Sequence, residues 1–135
     1  MANITKSIKP HILCVDGYRE SHDVLTLILE QHGYRVTRAH TSEDALRLAR
    51  GQQFDLYIMD SWPPEGAEYE LCRTIRTFDA HTPLLFYSLT DQDAGSQKAF
   101  AAGAQGHLRK PTHPKKLVQT IDELLKEAKS GHPAG

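Results

Sequence analysis

Five times along this chain a short β-rich run gives way to a stretch of helical apolar spacing, and no other feature narrows the accessible folds as much. HILCV (11–15) is followed by Leu25, Ile28 and Leu29 on one helical face, which Gly33 closes. YRVTRA (34–39) alternates apolar and polar residues as a half-exposed strand does. TSEDALRLAR then offers Thr41 and Ser42 as caps, sets Ala45, Leu48 and Ala49 on one face, and ends at Gly51. FDLYIM (54–59) reads as a buried strand ending at Asp60, and after the turn SWPPEG comes a helical stripe of Leu71, Ile75 and Phe78. PLLFYS (83–88) is continuously apolar, the pattern of a strand covered on both faces. Asp91 or Asp93 starts a helix that carries Ala99 and Phe100 and stops at Gly103. QGHLR (105–109) is the shortest strand, and Leu117, Ile121, Leu124 and Leu125 mark a final amphipathic helix.

Five such units joined by short loops predict an α/β fold: one parallel sheet, helices on both faces, right-handed crossovers. With 135 residues the chain fits one domain, read as a 1–9 extension, a 10–128 domain and a 129–135 tail. In sheets of this kind the chemistry sits beyond the carboxyl ends of the strands. Strand one delivers Asp16 to that edge, strand three Asp60, strand four Ser88, and strand five Lys110 followed by Pro111.

A phosphoryl group on a carboxylate needs a nucleophile, a divalent cation to screen the incoming oxygens, and donors to those oxygens. Asp60 can serve as nucleophile, since carboxylates form acyl phosphates. Mg²⁺ takes one or two carboxylates plus waters, carbonyls and substrate oxygens, and Asp16 with Asp60 meets that minimum. Lys110 and Ser88 offer a point charge and a hydroxyl. Singly, each has a plainer reading: an acid at a strand end as a helix cap, Lys-Pro as a turn, Ser88 as a satisfied core hydroxyl. Their joint placement at four of five strand ends is what chance rarely gives.

Other classes fit less well. A net charge of −1 draws the chain to neither nucleic acid nor an anionic membrane, and no apolar run is long enough to span a bilayer. MANITKSIKPH lacks a hydrophobic secretory core, which predicts a cytoplasmic protein, and Met1 reads as a true start. Cys14 and Cys72 are then expected as buried thiols rather than a disulfide, and the eight histidines show no metal-binding spacing. A phosphatase of the haloacid dehalogenase type wants a second acid two residues after Asp16, where Tyr18 stands. Nucleotide or flavin binding wants a loop rich in Gly, Ser or Thr, and DGYRES has one glycine. Lys115 and Lys116 read as a solvated helix start rather than a DNA-binding face.

CVDG, YIMDSWPPEG, PLLFYS and GAQGHLRKP together resemble the receiver domain of bacterial two-component response regulators, over roughly residues 10 to 128. That resemblance implies a flavodoxin-like (βα)5 domain with strand order 2-1-3-4-5. It implies that Asp60 is the phosphoacceptor, Ser88 the hydroxyl that reorients toward the phosphoryl group, and Lys110 the phosphate-pairing lysine joined to Pro111 by a cis peptide. It implies Mg²⁺ held by Asp16, Asp60 and the backbone carbonyl of Trp62. His107 takes the place of a switching Tyr or Phe and is expected to enter the space that Ser88 vacates, with an exposed edge-strand residue as the plainer reading. The implied partners are a histidine kinase or phosphotransfer protein and an unknown downstream protein. The domain is a phosphoacceptor rather than an enzyme in its own right.

The chain departs from the family pattern at several points. Receivers end strand one with two acids, and here the second is Gly17; loss of a direct ligand is expected to weaken metal binding by at least about 10–100-fold. Glu20 is a candidate substitute, or simply an acid at a helix N-terminus. Pro63 and Pro64 replace Met-Pro, Gly66 comes two positions early, Glu68 stands where the family has Gly, and Leu89 follows Ser88. Trp62 and Leu89 are expected either to crowd the pocket or to pack within their loops. Two functions therefore stand: a phosphorylated receiver with weakened Mg²⁺ binding, and a pseudo-receiver that works as a protein-binding module without phosphorylation.

Overall fold

The computed structural model describes residues 9–17, 22–62 and 66–130. Elements alternate along the chain as β1 (His11–Val15), α1 (His22–Gln31), β2 (Arg35–Ala39), α2 (Ser42–Gly51), β3 (Leu56–Asp60), α3 (Ala67–Arg76), β4 (Leu84–Ser88), α4 (Gln92–Ala102), β5 (Gly106–Arg109) and α5 (Pro114–Lys129). The strands form one parallel sheet in the order β2-β1-β3-β4-β5, as expected.

Period-two alternation divides the core into two layers. Leu13, Val15, Tyr57, Met59 and Phe86 pack with Ala45, Ala49, Leu71, Ile75 and Ala99, so α2, α3 and α4 cover one face. Ile12, Cys14, Ile58 and Leu85 pack with Leu25, Leu29, Leu117, Ile121 and Leu124, so α1 and α5 cover the other. Cys14 and Cys72 are buried free thiols in opposite layers. Among the described residues no helix is long and apolar enough to cross a membrane.

Local chemistry fixes the ends of the elements. Thr41 caps α2, its hydroxyl accepting from Asp44 N at 3.0 Å. Gly103 closes α4 at φ 107°, a conformation only glycine takes without strain. Phe54 lies before β3 rather than in it, its ring 4.6 Å from that of His11. Phe78 falls in the turn after α3, under the Arg50 guanidinium. Phe100 corrects the expected stripe of α4: it is 56% exposed, because the helix seats itself on Gly95, Ala99 and Ala102. Small residues at that spacing bring α4 close to the sheet and turn its one large apolar side chain outward.

Candidate functional site

Backbone hydrogen bonds carry the sheet past its formal ends and so fix the four singled-out residues. Asp16 N donates to Ala39 O at 2.9 Å, Ser61 N to Tyr87 O at 2.9 Å, and Lys110 N to Ser88 O at 2.7 Å. Asp60 is the last residue of β3 and lies in register with Tyr87; Ser88 is in register with Arg109. Asp16, Asp60, Ser88 and Lys110 are all buried at the carboxyl edge, and the Lys110–Pro111 peptide is cis.

Lys110 and Asp60 form an ion pair, both side chains withdrawn from solvent. The ammonium also donates to Ser61 O at 2.9 Å and lies over two rings, 3.4 Å from the Trp62 centroid and 5.2 Å from that of Tyr87. A buried charge survives only when paired and hydrogen-bonded, and here carboxylate, carbonyl and π-faces supply that environment. Burial pushes the Asp60 carboxyl up, to about 7, against the pull of Lys110, and Asp16 pushes the same way by charge and hydrogen bonding. Two carboxylates buried together form a site whose cost a divalent cation would relieve. The donor set of Asp16, Asp60 and the Trp62 carbonyl therefore fits Mg²⁺, at its minimum, since Gly17 adds no oxygen beyond its backbone.

Ser88 Oγ shares a hydrogen bond of 2.8 Å with His107 Nε2 and accepts from Thr90 N at 3.2 Å. The imidazole is 5% exposed, so His107 is a buried side chain and not the exposed edge-strand residue of the plainer reading. Gly95 makes room for it: a Cβ there would sit under 3.0 Å from three ring atoms of His107. Gln92 ties α4 to the outer edge of β5, donating to His107 O at 2.5 Å and accepting from Arg109 N at 2.9 Å.

The departures distribute unevenly. Glu20, Tyr18, Pro63 and Pro64 lie outside the described residues. Gly17 is exposed, and a Cβ on it would meet only His40 O at 3.8 Å. Leu89 is 44% exposed, whereas Trp62 covers the lysine. Gly66 adopts φ 147°, and its N–H donates to Glu68 Oε1 at 3.4 Å. Sequence reasoning missed the aromatic cage around Lys110, the Gln92 clamp and the Gly95 notch. Only the notch left a signal, an isolated glycine inside a helical pattern.

A doubly wound parallel sheet with two acids, a hydroxyl and a lysine at its carboxyl edge defines a class of protein that handles a small anion at that edge. Residues 12–122 match the family model of the response regulator receiver domain, and the chain belongs to that family. It is 28% identical over 123 residues to the response regulator SaeR of Staphylococcus epidermidis, covering 90% of this chain and 53% of that one. The chain thus spans about half the length of the curated relatives it matches. A CheY-like receiver domain protein from Methanospirillum hungatei superposes with a TM-score of 0.82 at 26% identity, covering 93% of this chain and 100% of that one. The BeF3-activated DrrB receiver domain gives 0.75 at 27% identity, covering 88% and 99%. This is a receiver domain of two-component signalling, a family that generally binds Mg²⁺ and works with histidine kinases or phosphotransfer proteins.

Proposed function

We propose that this chain is a phosphorylated receiver whose acceptor is Asp60. The observation that carries the reading is the buried Asp60–Lys110 ion pair, held beside Asp16 and Ser88 at one sheet edge. A carboxylate oxygen of Asp60 attacks the phosphorus of a phosphohistidine on a histidine kinase or phosphotransfer protein. The P–N bond breaks, the ring nitrogen leaves with its electron pair, and an acyl phosphate forms. Lys110 pairs with the new phosphoryl charge, and the Ser88 hydroxyl donates to one of its oxygens. Asp16, Asp60 and the carbonyl of Trp62 would hold Mg²⁺, which screens the charge on the incoming oxygens; with Gly17 in place of an acid, its binding is weakened. Exchange of the Ser88–His107 bond for a Ser88–phosphoryl bond frees the imidazole and alters its seat against α4, reshaping the face of α4, β5 and α5 for a downstream protein. The chain acts in the cytoplasm as a phosphoacceptor, not as an enzyme with turnover, and binds neither nucleic acid nor membrane through this domain.

Gly17 favours a second reading, a pseudo-receiver that binds partners independently of phosphorylation. Acetyl phosphate with Mg²⁺ separates the two. Gain of one phosphoryl mass, lost in Asp60→Asn, supports the acceptor. No gain, with Trp62 fluorescence silent to high millimolar Mg²⁺ and to beryllofluoride, supports the binding module.

A further inference from the structure

An ammonium has three N–H donors, and those of Lys110 are already committed. One bonds Ser61 O at 2.9 Å and one faces the Asp60 carboxylate. The remaining side of the nitrogen is roofed by the Trp62 indole, whose centroid lies 3.4 Å away, inside the distance at which a cation and a ring attract strongly. Tyr87 closes a further side at 5.2 Å. Lys110 is only 7% exposed as a result. An anion arriving at Asp60 therefore meets an ammonium whose outward face is taken.

We propose that Trp62 is a positioning and gating residue: its indole clamps the Lys110 ammonium onto Asp60 and competes with incoming phosphoryl oxygens for it. This deepens the phosphoacceptor reading and rests on it. The Ser61 bond anchors the lysine whichever partner it holds, because that carbonyl belongs to a backbone whose own N–H is tied to Tyr87 O. The exchangeable contacts are the carboxylate and the ring. Phosphoryl oxygens displace the indole from the nitrogen while Ser61 keeps the ammonium in place. The ring thus sets how readily the site accepts a phosphoryl group, and Trp62 is half-buried on a loop rather than locked in the core, so it can yield.

The test has two arms on the full chain. In lysine-labelled protein, the Cε protons of Lys110 should resonate upfield of the other lysines, under the indole, and return to the common position in Trp62→Leu. Absence of that shift in the unmodified protein overturns the clamp. In the second arm, beryllofluoride with saturating Mg²⁺ is titrated and followed by its fluorine resonance. Removal of a cation–π contact predicts about threefold to thirtyfold tighter uptake in Trp62→Leu, with Trp62→Phe in between. Wild type and both variants binding equally tightly would overturn the gate while leaving the phosphoacceptor intact. Uptake by none of the three, with the lysine shift present, would overturn both.

Discussion

Gly95→Ala tests whether the Ser88–His107–α4 contact is as tight as its geometry requires. In an ordinary helix this change stabilises, by roughly 0.5–1 kcal/mol, because alanine loses less backbone freedom than glycine. Here the added methyl would sit under 3.0 Å from Cε1, Nε2 and Nδ1 of a 5%-exposed imidazole. The ring must leave its notch, and overpacking of that kind costs about 1–3 kcal/mol. Its departure also breaks the Ser88–His107 bond, worth about 0.5–1.5 kcal/mol net. The clash outweighs the propensity gain, so Gly95→Ala should destabilise the domain by about 1–3 kcal/mol, lowering the urea midpoint without changing the slope. In a His107→Ala background the methyl has room, and the same substitution should be neutral or stabilise by up to about 1 kcal/mol. A double-mutant cycle from urea unfolding reads the coupling directly, expected near 2–3 kcal/mol. Stabilisation by Gly95→Ala alone, or coupling within about 0.5 kcal/mol of zero, would refute the reasoning.

Three further outcomes are expected. Gly17→Asp, for which the nearest obstacle is His40 O at 3.8 Å, should tighten Mg²⁺ binding at least about tenfold in Trp62 fluorescence titrations; unchanged affinity would remove Gly17 as the reason for weak binding. Tyr57→Phe removes the donor at 2.7 Å from Asp79 Oδ2; burial raises that carboxyl, but bonds from Tyr57, Thr82 and His81 outweigh it and hold it below the usual range. A depressed carboxyl stabilises above its unfolded pKa and loses that contribution as pH falls through the folded one, so the variant should cost about 1–2 kcal/mol near pH 7 and progressively less below about pH 4 in urea melts. Arg76→Lys keeps the charge but cannot span Gly103 O (2.8 Å), Asp79 O (3.0 Å) and Gln105 Oε1 (2.8 Å) at once, and a loss of about 1–3 kcal/mol by denaturation is expected.

The order of elements was legible because strand and helix periods differ, 2.0 against 3.6, and both survive in the sequence of Leu13, Val15, Leu71 and Ile75. Boundaries were less so. Phe54 and Phe78 look like members of a strand and a helix by apolarity, yet each packs from just outside its element, since burial rewards a ring wherever the chain brings it. Phe100 misled for the opposite reason: three small residues decide which side of α4 approaches the sheet.

The sequence by itself determined that Asp16, Asp60, Ser88 and Lys110 would share an edge, because chain direction in a parallel sheet sends every strand end the same way. Which side chain touches which was decided only by the tertiary structure. The indole over Lys110, the imidazole on Ser88 and the glycine notch that admits it join residues 12 to 48 positions apart, at angles that no linear pattern encodes. Such contacts depend on ångström-scale packing of side chains from separate elements, and that geometry exists only after the sheet and helices have closed on one another.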